Sequence, residues 1–151
     1  MTRDLWKMKA VDVHRLLKSK ELSAKELLEI SIARINEVDK DLNALPEKCF
    51  DRAKTVAEKI TNNQSQNPNS LLGLPIAVKD YNDLSGVKTT YGSPLFKNNI
   101  PSTSDRTIEI LEKNDANPIA KSNVPEWAGG HTFNPVNGLT RNPWDISKSA
   151  G

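Results

Sequence analysis

The sequence predicts an α/β fold of which these 151 residues form an incomplete part. Apolar residues recur at helical spacing in the first part of the chain, and a strand, a helix and a second strand follow. Apolar residues reach only about 41% when the 7 glycines are included, against about 45–50% in an ordinary soluble domain. We therefore expect a helical part over 1–62, a loop over 63–72 and an α/β part over 73–151, sharing their core with further sequence.

Three helices are predicted in the helical part. The first has an apolar side at three- to four-residue spacing, formed by Leu5, Met8, Val11, Val13, Leu16 and Leu17. The second begins at Ser23, because Ser23 and Glu26 have the spacing of a capping box; its apolar stripe contains Leu28, Ile32 and Ile35. The third is predicted from about Asp51 to Ile60 by the same periodicity.

The α/β part begins after a polar segment without periodicity, Thr61–Ser70, which predicts an exposed loop. Leu74–Val78 is continuously apolar and short, which is typical of a strand buried on both faces. A helix over about Asp105–Lys113, capped by Ser104 or Asp105, and a strand at Pro118–Ala120 follow. This order predicts parallel pairing of the two strands.

The rest of the chain, Ser122–Gly151, is rich in proline, glycine and asparagine. This composition predicts mostly irregular backbone. Irregular segments beyond strand ends are where α/β proteins place their functional sites.

Composition and motifs exclude several classes of protein. No apolar run approaches the roughly 18–20 residues of a membrane helix, and the first residues lack the pattern of a signal peptide. One cysteine and two histidines cannot form a usual zinc site, and no phosphate-binding loop is present. The 21 basic and 19 acidic residues provide no basic stripe for nucleic acid. We expect a cytoplasmic protein without metal or cofactor.

Lys79 is the polar residue that ends the first predicted strand. From its position alone, it is more often a surface ammonium or the ion-pair partner of a carboxylate such as Asp80. A catalytic role as a base requires a neutral amine, and a free lysine is neutral in only about one molecule in 2,500 at pH 7. Burial of the side chain lowers the pKa, so the hypothesis of a catalytic base predicts a buried Lys79.

Other candidates carry weaker signals. His131 lies in a turn and is a possible base, although hydrogen bonding within its loop is the commoner role; His14 is expected to be structural. Trp127 and Phe133 suit either an apolar ligand pocket or core packing. Lys121–Asn123 follows the second strand and is well placed for supporting hydrogen bonds. Nothing near Ser149 activates it as a nucleophile.

Several segments, in order, resemble the amidase signature family. In the α/β part they are Gly73–Asp80 (GLPIAVKD), Gly86–Ser93, Lys121–Trp127, Phe133–Gly138 and Thr140–Asp145. Upstream, three segments resemble the N-terminal helices of the family: Leu22–Leu28, Ile32–Ile35 and Leu42–Ala44. The resemblance implies a large mixed sheet flanked by helices, of which this chain supplies the leading helices and the first strands.

The resemblance also implies a reaction, since family members hydrolyse amides with a nucleophilic serine, a bridging serine and a lysine. Lys79 is implied to be that lysine. It accepts a proton from the bridging serine, which in turn accepts one from the nucleophile as that serine attacks the amide carbonyl. Water then releases the acid from the acyl-enzyme. The implied substrate is a small-molecule amide.

In the family, the segment that Arg141–Asp145 resembles leads into a glycine- and serine-rich run that holds the bridging serine, and this chain stops at Gly151, on the first glycine of that run. Ser149 matches a flanking position and neither triad serine. We therefore expect residues 1–151 to be the N-terminal portion of one amidase domain. We also expect that the natural coding sequence continues past Gly151, and that the chain is inactive by itself.

Two alternatives to a hydrolase remain open. The chain is also compatible with the A subunit of a tRNA-dependent amidotransferase, which passes released ammonia to another subunit, although Val124–Trp127 and Phe133–Pro135 look more like general amidases. The other alternative is a non-catalytic truncated fragment or binding protein.

Overall fold

The structure is a computed structural model that describes residues 4–63, 65 and 67–151. Its α-helices are α1 (Ala10–Lys18), α2 (Ala24–Leu42), α3 (Phe50–Asn62) and α4 (Arg106–Lys113). Its strands are β1 (Glu47–Lys48), β2 (Pro75–Lys79), β3 (Asn117–Ser122), β4 (Phe133–Asn134), β5 (Gly138–Leu139), β6 (Arg141–Asn142) and β7 (Asp145–Ser149). The predicted α/β class is confirmed. Gln64 and Gln66 of the predicted loop lie outside the described residues.

Helix α2 begins with the predicted capping box. The Ser23 hydroxyl accepts a hydrogen bond from the Glu26 amide at 3.1 Å, and the Glu26 carboxylate accepts one from the Ser23 amide at 2.9 Å. The helix ends at Asn43, whose φ of 55° is left-handed, a conformation that asparagine tolerates better than most residues. Side chains within one helical turn thus fix the start of α2.

The prediction of a continuous first helix is wrong. Leu5 lies in a separate 3₁₀ turn, Leu5–Lys7, and Lys9 is extended before α1 starts at Ala10. This break changes the phase of the apolar stripe. Met8 and Val11 are therefore 38% and 53% exposed, while Leu5 is buried.

The core lies between the helices and the sheet. One cluster joins α2 and α3 to β3 and contains Ala24, Leu28, Ala53, Ala57, Ile119 and Ala120. A second packs the N-terminal segment on α2 through Leu5, Val13, Leu17, Leu22 and Leu27. Gly73 lies against the first cluster: its φ is +83°, and a Cβ there would be 2.7 Å from the Ala24 Cβ.

The main sheet has the order β1–β3–β2, with β2 parallel and β1 antiparallel to β3. The predicted parallel pairing is therefore confirmed. Strand β2 lies at an edge, however, and of its residues Ala77 and Lys79 are exposed while Val78 is buried. The prediction that this strand is buried on both faces is wrong for this chain, because one of its faces has no covering layer.

The last thirty residues are more regular than predicted. They form two small antiparallel hairpins, β4–β5 and β6–β7. Composition did not predict them because each pairs only a few residues. Among the described residues, no helix combines the length and the apolar character needed to cross a membrane.

Candidate functional site

Lys79 lies at the carboxyl end of β2, opposite Ser122 of β3 in the register of the sheet. Its side chain is exposed. The expectation of a buried Lys79 is therefore wrong for these 151 residues, since the edge strand that carries it is covered on one side only. The structure brings Lys79 to the sheet edge from which the loops after β2 and β3 also start.

Asp80, the expected ion-pair partner of Lys79, is engaged elsewhere. It is only 2% exposed, and its carboxylate accepts hydrogen bonds from the amide and hydroxyl of Thr90. Its main chain is held on both sides, because its amide donates to the Ser122 carbonyl at 2.9 Å and its carbonyl accepts from the Tyr91 amide at 3.0 Å. The residue that follows Lys79 is thus fixed in the interior.

Lys121 of β3 is the lysine that the fold buries completely. Its ammonium donates hydrogen bonds to the Asn82 carbonyl and, at 2.8 Å, to the Thr89 hydroxyl, and it lies 3.7 Å from Asp80 Oδ1. Burial lowers the pKa of Lys121, and the nearby Asp80 carboxylate opposes that shift. The sequence indicated only a supporting role for Lys121 and did not predict its burial.

A second acidic group organises the loop after β2. Asp105 accepts hydrogen bonds from the Asn82 side chain at 3.0 Å and from the Asp83 amide at 3.1 Å. Asp83 in turn accepts a hydrogen bond from the Tyr91 hydroxyl at 2.6 Å. Burial and this hydrogen bond raise the pKa of Tyr91 to about 12, because both favour the neutral phenol.

Tyr91 also belongs to an aromatic cluster beside these groups. Its ring stacks on Trp127 at 5.3 Å between centroids and 6° between planes, and Phe96 packs edge-on against both. Trp127 is 53% exposed and has a left-handed φ of 51°. The cluster joins the loop after β2 to the loop after β3. It leaves an aromatic face open to solvent, so Trp127 is not a core residue here.

The remaining candidates are dispersed. Asn123 is buried and bonds Thr140 at 3.0 Å and Asn134 at 2.7 Å, as expected for a supporting residue. His14 hydrogen-bonds the Ser70 carbonyl at 2.9 Å, which is a structural contact. The other three lie in the C-terminal hairpin region and are exposed or half-buried: His131, Phe133 and Ser149.

The sequence profile of the Amidase family matches residues 26–151, which include the whole site described above. The chain belongs to the amidase family. Its predicted resemblance to the amidase signature enzymes is thereby confirmed.

Named proteins that are similar to this chain in sequence or in structure support the assignment to this family. The A subunit of the glutamyl-tRNA(Gln) amidotransferase of Thermoanaerobacter pseudethanolicus is 33% identical over 153 residues, covering 98% of this chain and 31% of that protein. A solved bacterial aryl acylamidase of the amidase signature family superimposes with a TM-score of 0.87 at 27% identity, covering 95% of this chain and 31% of that one. A chain from a solved vestigial protein complex, described as revealing the origins of an s-triazine catabolic enzyme, superimposes with a TM-score of 0.86 at 30% identity. The match covers 95% of this chain and 32% of that chain. This amidase chain therefore spans about a third of the length of these relatives.

Proposed function

We propose that this chain takes part in the hydrolysis of a small-molecule carboxamide in the cytoplasm, with Lys79 as the proton acceptor of a Ser–bridging Ser–Lys triad. The observation that carries the proposal is the position of Lys79 in an amidase-family chain. It ends a strand at the loop-bearing edge of the sheet, and the adjacent carboxylate of Asp80 is occupied by Thr90 and Lys121. A carboxylate paired with Lys79 would stabilise its charged form and so oppose its action as a base.

The mechanism requires Lys79 to be neutral when the substrate is bound. The amine then accepts a proton from the bridging serine while the nucleophilic serine loses its own proton and attacks the carbonyl carbon. Because Lys79 is exposed in these 151 residues, we propose that further parts of the active site, including both serines, cover it. No metal or cofactor takes part in this proposal.

A second candidate is a component of an amidotransferase, in which the ammonia released from an amide passes to another subunit. The 33% identity to the A subunit from Thermoanaerobacter pseudethanolicus favours it, whereas the likeness to the aryl acylamidase favours a free-standing hydrolase. Affinity purification from the native host distinguishes them: a stoichiometric partner supports the amidotransferase, and a homogeneous active hydrolase contradicts it.

Replacement of Lys79 tests the proposal in the protein expressed from its natural gene. We expect Lys79→Ala to lower kcat for amide hydrolysis by about 10²–10⁴-fold, the usual contribution of a general base, with little change in melting temperature. Lys113→Ala is the matched control, because Lys113 is an exposed lysine of α4, and its kcat should equal that of the parent. A Lys79→Ala enzyme with parental kcat would refute the role of Lys79.

A further inference from the structure

Lys121 is the largest of the side chains that are fully buried in the described part of the chain. A lysine is almost never fully buried unless it is paired, because its ammonium loses its hydration. The burial of Lys121 therefore depends on the protein groups that replace water around its ammonium.

Those groups all belong to the segment that follows Lys79. The ammonium donates to the Asn82 carbonyl and to the Thr89 hydroxyl, and Asp80 supplies the countercharge at 3.7 Å. An ammonium has three donors and no acceptor. Through these contacts, the single side chain of Lys121 holds the loop after β2 against β3.

One of these contacts leads directly back to Lys79. The amide of Asn82 donates a hydrogen bond to the Lys79 carbonyl at 2.9 Å, and the carbonyl of the same Asn82 accepts from Lys121. The turn Lys79–Asn82 is thus closed by its own hydrogen bond and anchored to β3 by Lys121. Asp80 lies inside this turn and is buried.

We propose that Lys121 is a positioning residue for Lys79: it fixes the turn at which Lys79 leaves the sheet, and so fixes the direction of the Lys79 amine. The inference rests on the proposed function of Lys79. Lys121 does not itself touch the reacting atoms in this proposal.

The positioning is tested by hydrogen exchange of the Asn82 amide in the protein expressed from its natural gene. Lys121→Met alone leaves Asp80 buried without its countercharge and risks misfolding, so the test uses Lys121→Met combined with Asp80→Asn. We expect the Asn82 amide to exchange at least about tenfold faster in the double variant, while core amides of α2 keep their protection. Asp80→Asn alone leaves Lys121 buried without its countercharge, but a buried lysine can respond by losing a proton, and the neutral amine still has two N–H donors for the Asn82 carbonyl and the Thr89 hydroxyl. Where the core amides of α2 keep their protection in this single variant, protection of the Asn82 amide should therefore remain within about threefold of the parent.

Unchanged protection of Asn82 in the double variant would overturn the inference. Equal loss in Asp80→Asn alone, with the core amides of α2 still protected, would also overturn it, because Asp80 and not Lys121 would then hold the turn.

Kinetics separates positioning from mere structural support. In the same double variant we expect kcat to fall at least about tenfold with KM within about twofold, since a misdirected base affects the chemical step more than binding. Parental kcat in the double variant, together with the expected loss of kcat in Lys79→Ala, would overturn the inference and leave the proposed function intact. Parental kcat in Lys79→Ala would refute the proposed function and, with it, the role of Lys121 in the reaction. The exchange of the Asn82 amide would still report whether Lys121 holds the turn.

Discussion

The two lysines at the sheet edge differ in what their nitrogen atoms can do. The Lys121 ammonium is enclosed and donates to Asn82 and Thr89, so its protons are already engaged. Lys79 is exposed one strand away. A base must be within reach of the group whose proton it accepts. The Lys79 side chain is accessible for such a contact, whereas that of Lys121 is enclosed. The burial of Lys121 could not be predicted from the sequence, because it depends on partners more than thirty positions away.

The Tyr91 hydroxyl should lose its proton at a higher pH than an ordinary tyrosine does. Its pKa is raised to about 12 by burial and by the hydrogen bond to Asp83, whereas an unfolded tyrosine titrates at about 10. The folded state binds more protons between these two values. The contribution of Tyr91 to stability is therefore complete below about pH 10 and is lost as the pH rises towards 12.

Ultraviolet difference titration of the parent against Tyr91→Phe measures this midpoint. We expect a midpoint at about 12 for Tyr91 and a lower one when Asp83→Asn removes the acceptor's charge. Tyr81→Phe is the matched control, because Tyr81 is 48% exposed. A Tyr91 midpoint at the ordinary value of about 10 would contradict the assigned environment.

At the scale of elements, local signals were predictable and distant pairings were not. The capping box of α2 was found from the sequence because Ser23 and Glu26 are three residues apart. The parallel pairing of β2 with β3 followed from the order of elements. Strand β1 was missed, since its two residues are defined only by pairing with Lys121 and Ala120 of β3. The exposure of one face of β2 likewise could not be predicted from the apolar sequence of the strand.

Ser23→Ala should loosen the start of α2. Loss of an N-cap side chain costs about 1 kcal/mol, so we expect the Glu26 amide, which donates to Ser23, to exchange about fivefold faster. Ser31→Ala is the control, because Ser31 bonds the Leu27 carbonyl in the middle of the same helix. Equal exchange of the Glu26 amide in both variants would show that the capping box contributes nothing measurable.

At the scale of the whole molecule, the 151-residue chain exposes much apolar surface. Leu95 is 85% exposed and Trp144 is 95% exposed, and Ile100, Trp127, Phe133 and Ile146 are each more than half exposed. The edge strand β2 adds unpaired backbone groups on its outer side. Such surfaces favour association with other apolar groups.

The 151-residue polypeptide expressed by itself should therefore bind a hydrophobic dye strongly and unfold without a sharp transition. Fluorescence of the bound dye and a thermal melt measure these properties. Combined Leu95→Ser and Trp144→Ser should reduce dye binding, because both side chains are exposed. A polypeptide that melts cooperatively as a monomer and binds no dye would instead be a self-sufficient domain.

The role of Lys79 is tested most directly by the rate at which a fluorophosphonate probe modifies an activated serine. In the protein expressed from its natural gene, we expect stoichiometric labelling of one serine other than Ser147 and Ser149. Labelling should be at least about 100-fold slower in Lys79→Ala and unchanged in Lys113→Ala. The 151-residue polypeptide alone should remain unlabelled. Equal labelling rates in the parent and in Lys79→Ala would contradict a serine activated through Lys79.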